Sequence, residues 1–121
     1  MKRSNELTRA ELQVMNILWD VEKGTVNEVL EKFPEPKPAY NTVLTFLRIL
    51  KEKMYVTSEA VGKQHLFRPI VQRGEYTRNY MRSVKENLFR GSAASLVNFF
   101  VKEENLSSKE IEELIALLKE R

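Results

Sequence analysis

A chain of 121 residues, 42% hydrophobic and 31% charged, has the material for one ordinary domain, or for a small domain with an appendage. It contains no cysteine, which excludes disulfides and thiolate metal sites, and its four glycines and four prolines exclude collagen-like and linker-rich classes. The net charge of +3 is unevenly spread: residues 37–68 hold 6 basic and 2 acidic side chains, residues 72–90 hold 5 and 2, and both ends of the chain are net acidic.

The opening residues contain no apolar stretch of signal-peptide type. The longest apolar run, Leu114–Leu118, is far too short to span a bilayer. A cytoplasmic protein without membrane insertion is therefore expected.

The first helix begins at a capping box. Thr8 can accept a hydrogen bond from the Glu11 N–H, and Glu11 can reach back to the Thr8 N–H. Leu7 and Leu12 stand where a hydrophobic staple would close. Leu12, Met15, Leu18 and Trp19 then form an apolar stripe to about Asp20. Gly24 is expected to break the chain. Thr25 and Glu28 form a second capping box, and Val29, Leu30 and Phe33 mark a short second helix. Pro34, Pro36 and Pro38 end it.

The third helix, about Ala39 to Lys53, has two different faces. Val43, Leu47, Leu50 and Met54 recur at helical spacing and predict a core-facing stripe. Asn41, Thr42, Thr45 and Arg48 give the other side short polar groups and one guanidinium. A solvated helix face normally fills with lysine and glutamate instead. Asn41, Thr45 and Arg48 fall at i, i+4 and i+7. Asparagine suits adenine, threonine can bond a base edge or touch a thymine methyl, and arginine suits guanine. The bland alternative, an indifferent surface, carries equal weight from this face alone.

The period then changes to that of strands. Runs at 55–60 and 64–69, separated by Gly62-Lys63, predict a β-hairpin. Three helices followed by a hairpin is the order of a winged helix-turn-helix domain. Together with the local positive charge, the hairpin favours DNA. Lys63 on the turn, with Lys51, Lys53 and Arg68 nearby, are candidate phosphate contacts, which set register without carrying sequence. His65 is the only histidine and has no partner for a metal site. A packed or exposed strand residue is its expected role.

The remainder is helical. Tyr76, Tyr80, Met81, Val84 and Leu88 share a face over about 71–90, with Gly91 as a stop. The tyrosines could box a ligand. At i, i+4 on an amphipathic helix they are expected in a core between two domains. Residues 92–104 are apolar on nearly every side. Ser107 or Ser108 caps a last helix with Ile111, Leu114, Ile115 and Leu118 along one stripe. A helix apolar all round needs cover, and a second copy of the chain would supply it. The acidic side chains Glu103, Glu104, Glu110, Glu112 and Glu113 are expected on a solvated face. No catalytic arrangement can be picked out, and no cofactor is expected.

Three stretches, LTRAELQVMNILWD (7–20), YNTVLTFLRILKEK (40–53) and SLVNFFVKEENLSSKEIEELIALL (95–118), resemble the penicillinase-repressor family of winged-helix regulators, the BlaI/MecI/CopY type. Leu7, Thr8, Glu11, Met15, Leu18-Trp19 and Thr42-Val43 with Thr45 carry the resemblance. It implies a bacterial transcriptional repressor that dimerises through its C-terminal helices and binds dyad-symmetric operator DNA. The copper-responsive branch carries a cysteine hook; the absence of cysteine argues against copper sensing. The β-lactam branch is relieved by proteolytic cleavage at an Asn-Phe pair in the helix after the wing domain, and a membrane-linked sensor protease is the partner that this branch would imply. Here Asn98-Phe99 and Phe99-Phe100 are the two registers for such a cut. Leu44 stands where relatives can carry a basic residue, which bears on the target sequence and not on DNA binding.

The expectation is a mainly α fold with a small β-hairpin: a winged helix-turn-helix domain over 1–71 and a helical dimerisation domain over 72–121. The candidate DNA contacts are Tyr40, Asn41, Thr42, Leu44, Thr45, Arg48, Lys51 and Lys63. The candidate dimerisation residues are Leu88, Leu96, Val97, Phe99, Phe100, Ile111, Leu114, Ile115 and Leu118. The rival readings are a regulator of the same fold with an effector near Tyr76 and Tyr80, and a winged helix used only for protein–protein contact.

Overall fold

The computed structural model describes residues 7–120. The elements run α1 (Arg9–Val21), α2 (Val26–Glu31), α3 (Tyr40–Glu52), β1 (Val56–Val61), β2 (Gln64–Pro69), α4 (Arg73–Leu88), α5 (Ala93–Glu103) and α6 (Ser108–Lys119). This is the expected mainly α fold with a hairpin wing. The chain parts into two compact units between Tyr80 and Met81, within α4.

Both predicted N-terminal capping boxes form. Thr8 accepts from the Glu11 N–H while Glu11 accepts from the Thr8 N–H, and Thr25 and Glu28 repeat the exchange. Each box satisfies two backbone donors that a helix start would otherwise leave unpaired. Ser107 and Glu110 form a third at α6. On α1, Met15 and Leu18 are fully buried as the stripe predicts, and Val14 and Ile17 widen it. Leu7, Leu12 and Trp19 pack on its margin.

The core of the first unit joins α1, α2, α3 and the hairpin. Val29 of α2, Val43, Leu47 and Leu50 of α3, and Tyr55 and Val56 at the start of β1 are all essentially inaccessible. One expected member is not there. Met54 is 58% exposed. Helix α3 ends at Glu52, and Met54 takes a left-handed φ of 69°. Its N–H donates to the Lys51 carbonyl and that of Tyr55 to the Leu50 carbonyl. This reversal turns Met54 outward and brings Tyr55, 1% exposed, into the place the helical period had assigned to Met54.

The hairpin pairs Val56 with Pro69 through to Val61 with Gln64. Gly62 and Lys63 form its two-residue turn. Gly62 has a φ of 62°, and Lys63 is not among the positive-φ residues. That pattern fits a type II′ turn, which requires glycine first. Gly24 does more than interrupt the chain. The left-handed reversal after α1 occurs at Glu22, and Gly24 exchanges two backbone hydrogen bonds with Phe67, 3.0 and 2.9 Å, as an isolated bridge. The α1–α2 connection thereby lies against the wing as a one-residue third strand.

In the second unit α5 and α6 contain no buried residue. Phe89 and Phe100 each meet Phe99 edge to face at 5.7 Å. Gly91, with φ 81°, turns the chain between α4 and α5, as expected.

Candidate nucleic-acid interface

Helix α3 owes its orientation to its buried stripe. With Val43, Leu47 and Leu50 sunk in the core, the opposite side must face out. Asn41, Thr42, Thr45, Arg48 and Lys51 are all exposed. The Thr45 hydroxyl donates to the Asn41 carbonyl at 2.8 Å. Its hydrogen is thus committed to the helix, and it offers outward a methyl group and acceptor lone pairs. Leu44 is half-buried against the core, and Tyr40 is 46% exposed.

Two lysines act as braces on either side of α3 in the chain. Lys37, in the proline-rich connection, donates its ammonium to the carbonyls of Glu31 and Phe33 at 2.7 Å and of Leu30 at 3.4 Å. It neutralises the C-terminal end of α2, where the helix dipole is negative. At the far end, Lys53 meets both carboxylate oxygens of Glu11 at 2.8 and 2.9 Å. Lys53 is therefore a structural cation, not one turned to the α3 surface. Arg68 likewise pairs with Glu59 across the hairpin at 3.0 Å.

Arg48 and Lys63 come together. A recess of about 140 Å3 lies between α3, the start of α2 and the wing turn. Tyr40, Leu44 and Arg48 line it from α3, Thr25, Val26 and Asn27 from the second side, and Lys63, Gln64 and His65 from the wing. Asn41, Thr42, Thr45 and Lys51 do not line it. Sequence reading assigned no role here to His65, Gln64 or Asn27. Lys63 is a turn residue and Gln64 and His65 are successive residues of β2, so strand alternation does not group the three. Nothing local could have brought Arg48 to them.

The tyrosine pair does not form an open box. Tyr76 is 8% exposed in the core of the first unit, its hydroxyl accepting from the Leu7 N–H at 2.9 Å. Trp19 and Tyr55 lie 5.9 and 6.2 Å from it, and Tyr80 stacks on it at 5.9 Å. Tyr76 is thus a core residue, but of the first unit and not between two domains, and Tyr80, expected beside it in the core, is 37% exposed. Val97, Phe99, Phe100, Ile111, Ile115 and Leu118 are exposed by 37–64%, and Leu88 by 73%. Leu96 and Leu114 are half-buried. Val97, Phe100, Leu106, Leu114 and Leu117, with Glu110 and Glu113, line a mostly apolar groove of about 370 Å3 between α5 and α6. Among the described residues no helix is long and apolar enough to cross a membrane.

The chain is similar to the penicillinase repressor of Bacillus licheniformis, 26% identical over 99% of this chain and 94% of that one. It is similar to the methicillin resistance regulatory protein MecI of Staphylococcus aureus (strain N315), 27% identical over 98% of each. A solved structure described as "CopR Repressor Structure" superposes with a TM-score of 0.47 and 29% identity, over 55% of this chain and 99% of that one. A family model for penicillinase repressors, proteins that are transcriptional repressors and not enzymes, matches residues 7–120. The chain belongs to the penicillinase repressor family.

Proposed function

We propose that this protein is a transcriptional repressor that binds dyad-symmetric operator DNA as a homodimer, with α3 in the major groove and the wing on the backbone. One observation carries the reading. The outward side of a helix anchored by core packing presents Asn41, Thr42 and Thr45, flanked by Arg48 and Lys51. Short hydrogen-bonding groups beside cations suit base edges and phosphates. A groove-binding protein partner would call for apolar anchors instead. The repressor names of the relatives support the same reading.

The dimer rests on the second unit. Phe99 and Phe100, 46% and 43% exposed, both lie on α5, and neither α5 nor α6 has a buried residue. Apolar faces of that kind are covered by a partner in stable proteins, and a second copy brings identical faces. Linking two half-site contacts raises affinity far above that of one. Loss of the dimer therefore releases the operator. A cut at Asn98-Phe99 or Phe99-Phe100 severs α5 and detaches α6, and so provides a proteolytic route to relief. The effector reading finds little support, because Tyr76 is packed and its hydroxyl engaged.

The test is recovery and sequencing of duplexes retained by the purified protein from a random-sequence pool. A two-fold symmetric consensus is expected, with log K falling steeply against log salt. No enrichment by a folded protein, or binding indifferent to salt, overturns the proposal.

A further inference from the structure

We infer that Arg48, Lys63 and His65 form a seat for a DNA backbone phosphate, so that Arg48 grips the backbone where its position on α3 alone suggests a base reader. The inference rests on the DNA-binding reading above and deepens it.

Three observations carry it. First, the side chains converge. Arg48 from α3, Lys63 from the wing turn and His65 from β2 line one recess, which the nearby Asn41 and Thr45 do not. On α3 the recess is lined by Tyr40, Leu44 and Arg48, at i, i+4 and i+8, a stripe beside the one that holds Asn41 and Thr45. Second, among the described residues these groups enter no ion pair. Ion pairs among the described residues include Lys53 with Glu11, Arg68 with Glu59, Arg73 with Asp20 and Lys85 with Glu86. Arg48, Lys63 and His65 belong to none of them, and no carboxylate lines the recess. Concave, uncompensated positive charge concentrates the local potential on an anion. Third, the place suits a backbone. The recess lies between the helix and the wing, at the side of α3 and not at its outermost line. When such a helix enters the major groove its flanks meet the phosphates that border the groove. Arginine and lysine supply charge and donors to phosphate oxygens, and a ring N–H of histidine adds a third donor.

The division of labour follows. Asn41 and Thr45 read base edges. Arg48, Lys63 and His65 hold the strand that passes beside them and set the depth and register of α3.

The experiment uses the full chain and two duplexes of equal length, one recovered from the random pool and one unrelated. Arg48→Gln, Lys63→Gln and His65→Gln are each compared with Asn41→Ala, after thermal melts establish that the variants are folded. Each of the three should weaken both duplexes by the same factor, about tenfold for Arg48→Gln, and the Arg48 and Lys63 variants should each reduce the salt slope by about one. Reselection with Arg48→Gln should return the wild-type consensus, whereas Asn41→Ala should relax it at one position. Arg48→Lys should restore most of the lost affinity. A changed base in the Arg48→Gln consensus overturns the assignment, and so does unaltered affinity in both Lys63→Gln and His65→Gln. If Arg48→Gln fails to fold, the two wing variants decide, since both residues are exposed. Failure of the underlying DNA reading looks different: the wild-type protein then retains no duplex at all.

Discussion

Lys53, at the C-cap of α3, holds both carboxylate oxygens of Glu11, in the first turn of α1, at 2.8 and 2.9 Å. The same carboxylate accepts the Thr8 N–H at 2.9 Å. One glutamate therefore closes the capping box of the first helix and fastens the end of the third. Burial acts to raise the Glu11 pKa. Donation from Lys53 and Thr8, with the charge of Lys53, outweighs it and leaves the carboxyl below its ordinary value of 4.5.

The sign for stability follows from that direction. A carboxyl whose pKa is lower folded than unfolded stabilises the fold above the ordinary value, and the contribution is lost as pH falls through it toward the lowered one. Melting temperature of the wild type should therefore drop between about pH 5 and pH 3 more steeply than that of Glu11→Gln. Parallel curves would show that the pair is not linked to folding. Lys53→Met should cost about 1–3 kcal/mol, because a carboxylate only 6% exposed loses its cation. Adding Glu11→Gln to Lys53→Met should recover part of that loss.

The Lys37 brace makes a second prediction. Its ammonium serves three carbonyls at the end of α2, so Lys37→Met should destabilise by about 0.5–1.5 kcal/mol. Hydrogen exchange should quicken in α2 before it does in α1. A uniform change across both helices would count against a local cap.

Two glycines should respond with opposite signs. A methyl group at Gly74, in the first turn of α4, meets nothing within 4 Å, and the residue has no positive φ. Gly74→Ala should stabilise by about 0.4–1 kcal/mol, mostly by restricting the unfolded chain. Gly62 is equally open but has a φ of 62°, so Gly62→Ala should destabilise by about 1 kcal/mol or more. Chemical denaturation of both variants measures this. Equal effects would refute the backbone argument.

What could be read from the sequence was local. Thr8 with Glu11 and Thr25 with Glu28 announce their helices because a capping box is a contact three residues long. Gly62-Lys63 announces the hairpin because a two-residue turn is built from its own backbone angles. The bridge of Gly24 to Phe67 joins residues far apart in the chain, and no periodicity encodes it. Met54 deceived the helical period because the reversal falls on a non-glycine residue. In the candidate site, Asn41 and Thr45 were legible from α3 alone. The convergence of Arg48 with His65 needed the wing folded back beside the helix. Lys53, Lys37 and Arg68 looked alike as basic residues. Only their partners in space separate these bracing cations from Arg48 and Lys63, which enter no ion pair among the described residues.

The last prediction concerns the pairing surface. Phe100 is 43% exposed in a helix with no buried residue. In an isolated chain its truncation removes little that is buried, so monomer stability should change by well under the cost of a core substitution. In a dimer that covers it, Phe→Ala costs about 3–5 kcal/mol through lost burial and a residual cavity. By symmetry that loss occurs once in each protomer. Phe100→Ala should therefore shift the protein toward monomer and lower operator affinity, although Phe100 is far along the chain from every candidate DNA contact. Its affinity for a single half-site should stay that of the wild type, which separates a pairing defect from a damaged DNA surface. Sedimentation and duplex binding on the same samples make the measurement. A Phe100→Ala protein that is still dimeric at submicromolar concentration and binds the full operator normally would remove both the proposed pairing surface and the proposed route of relief.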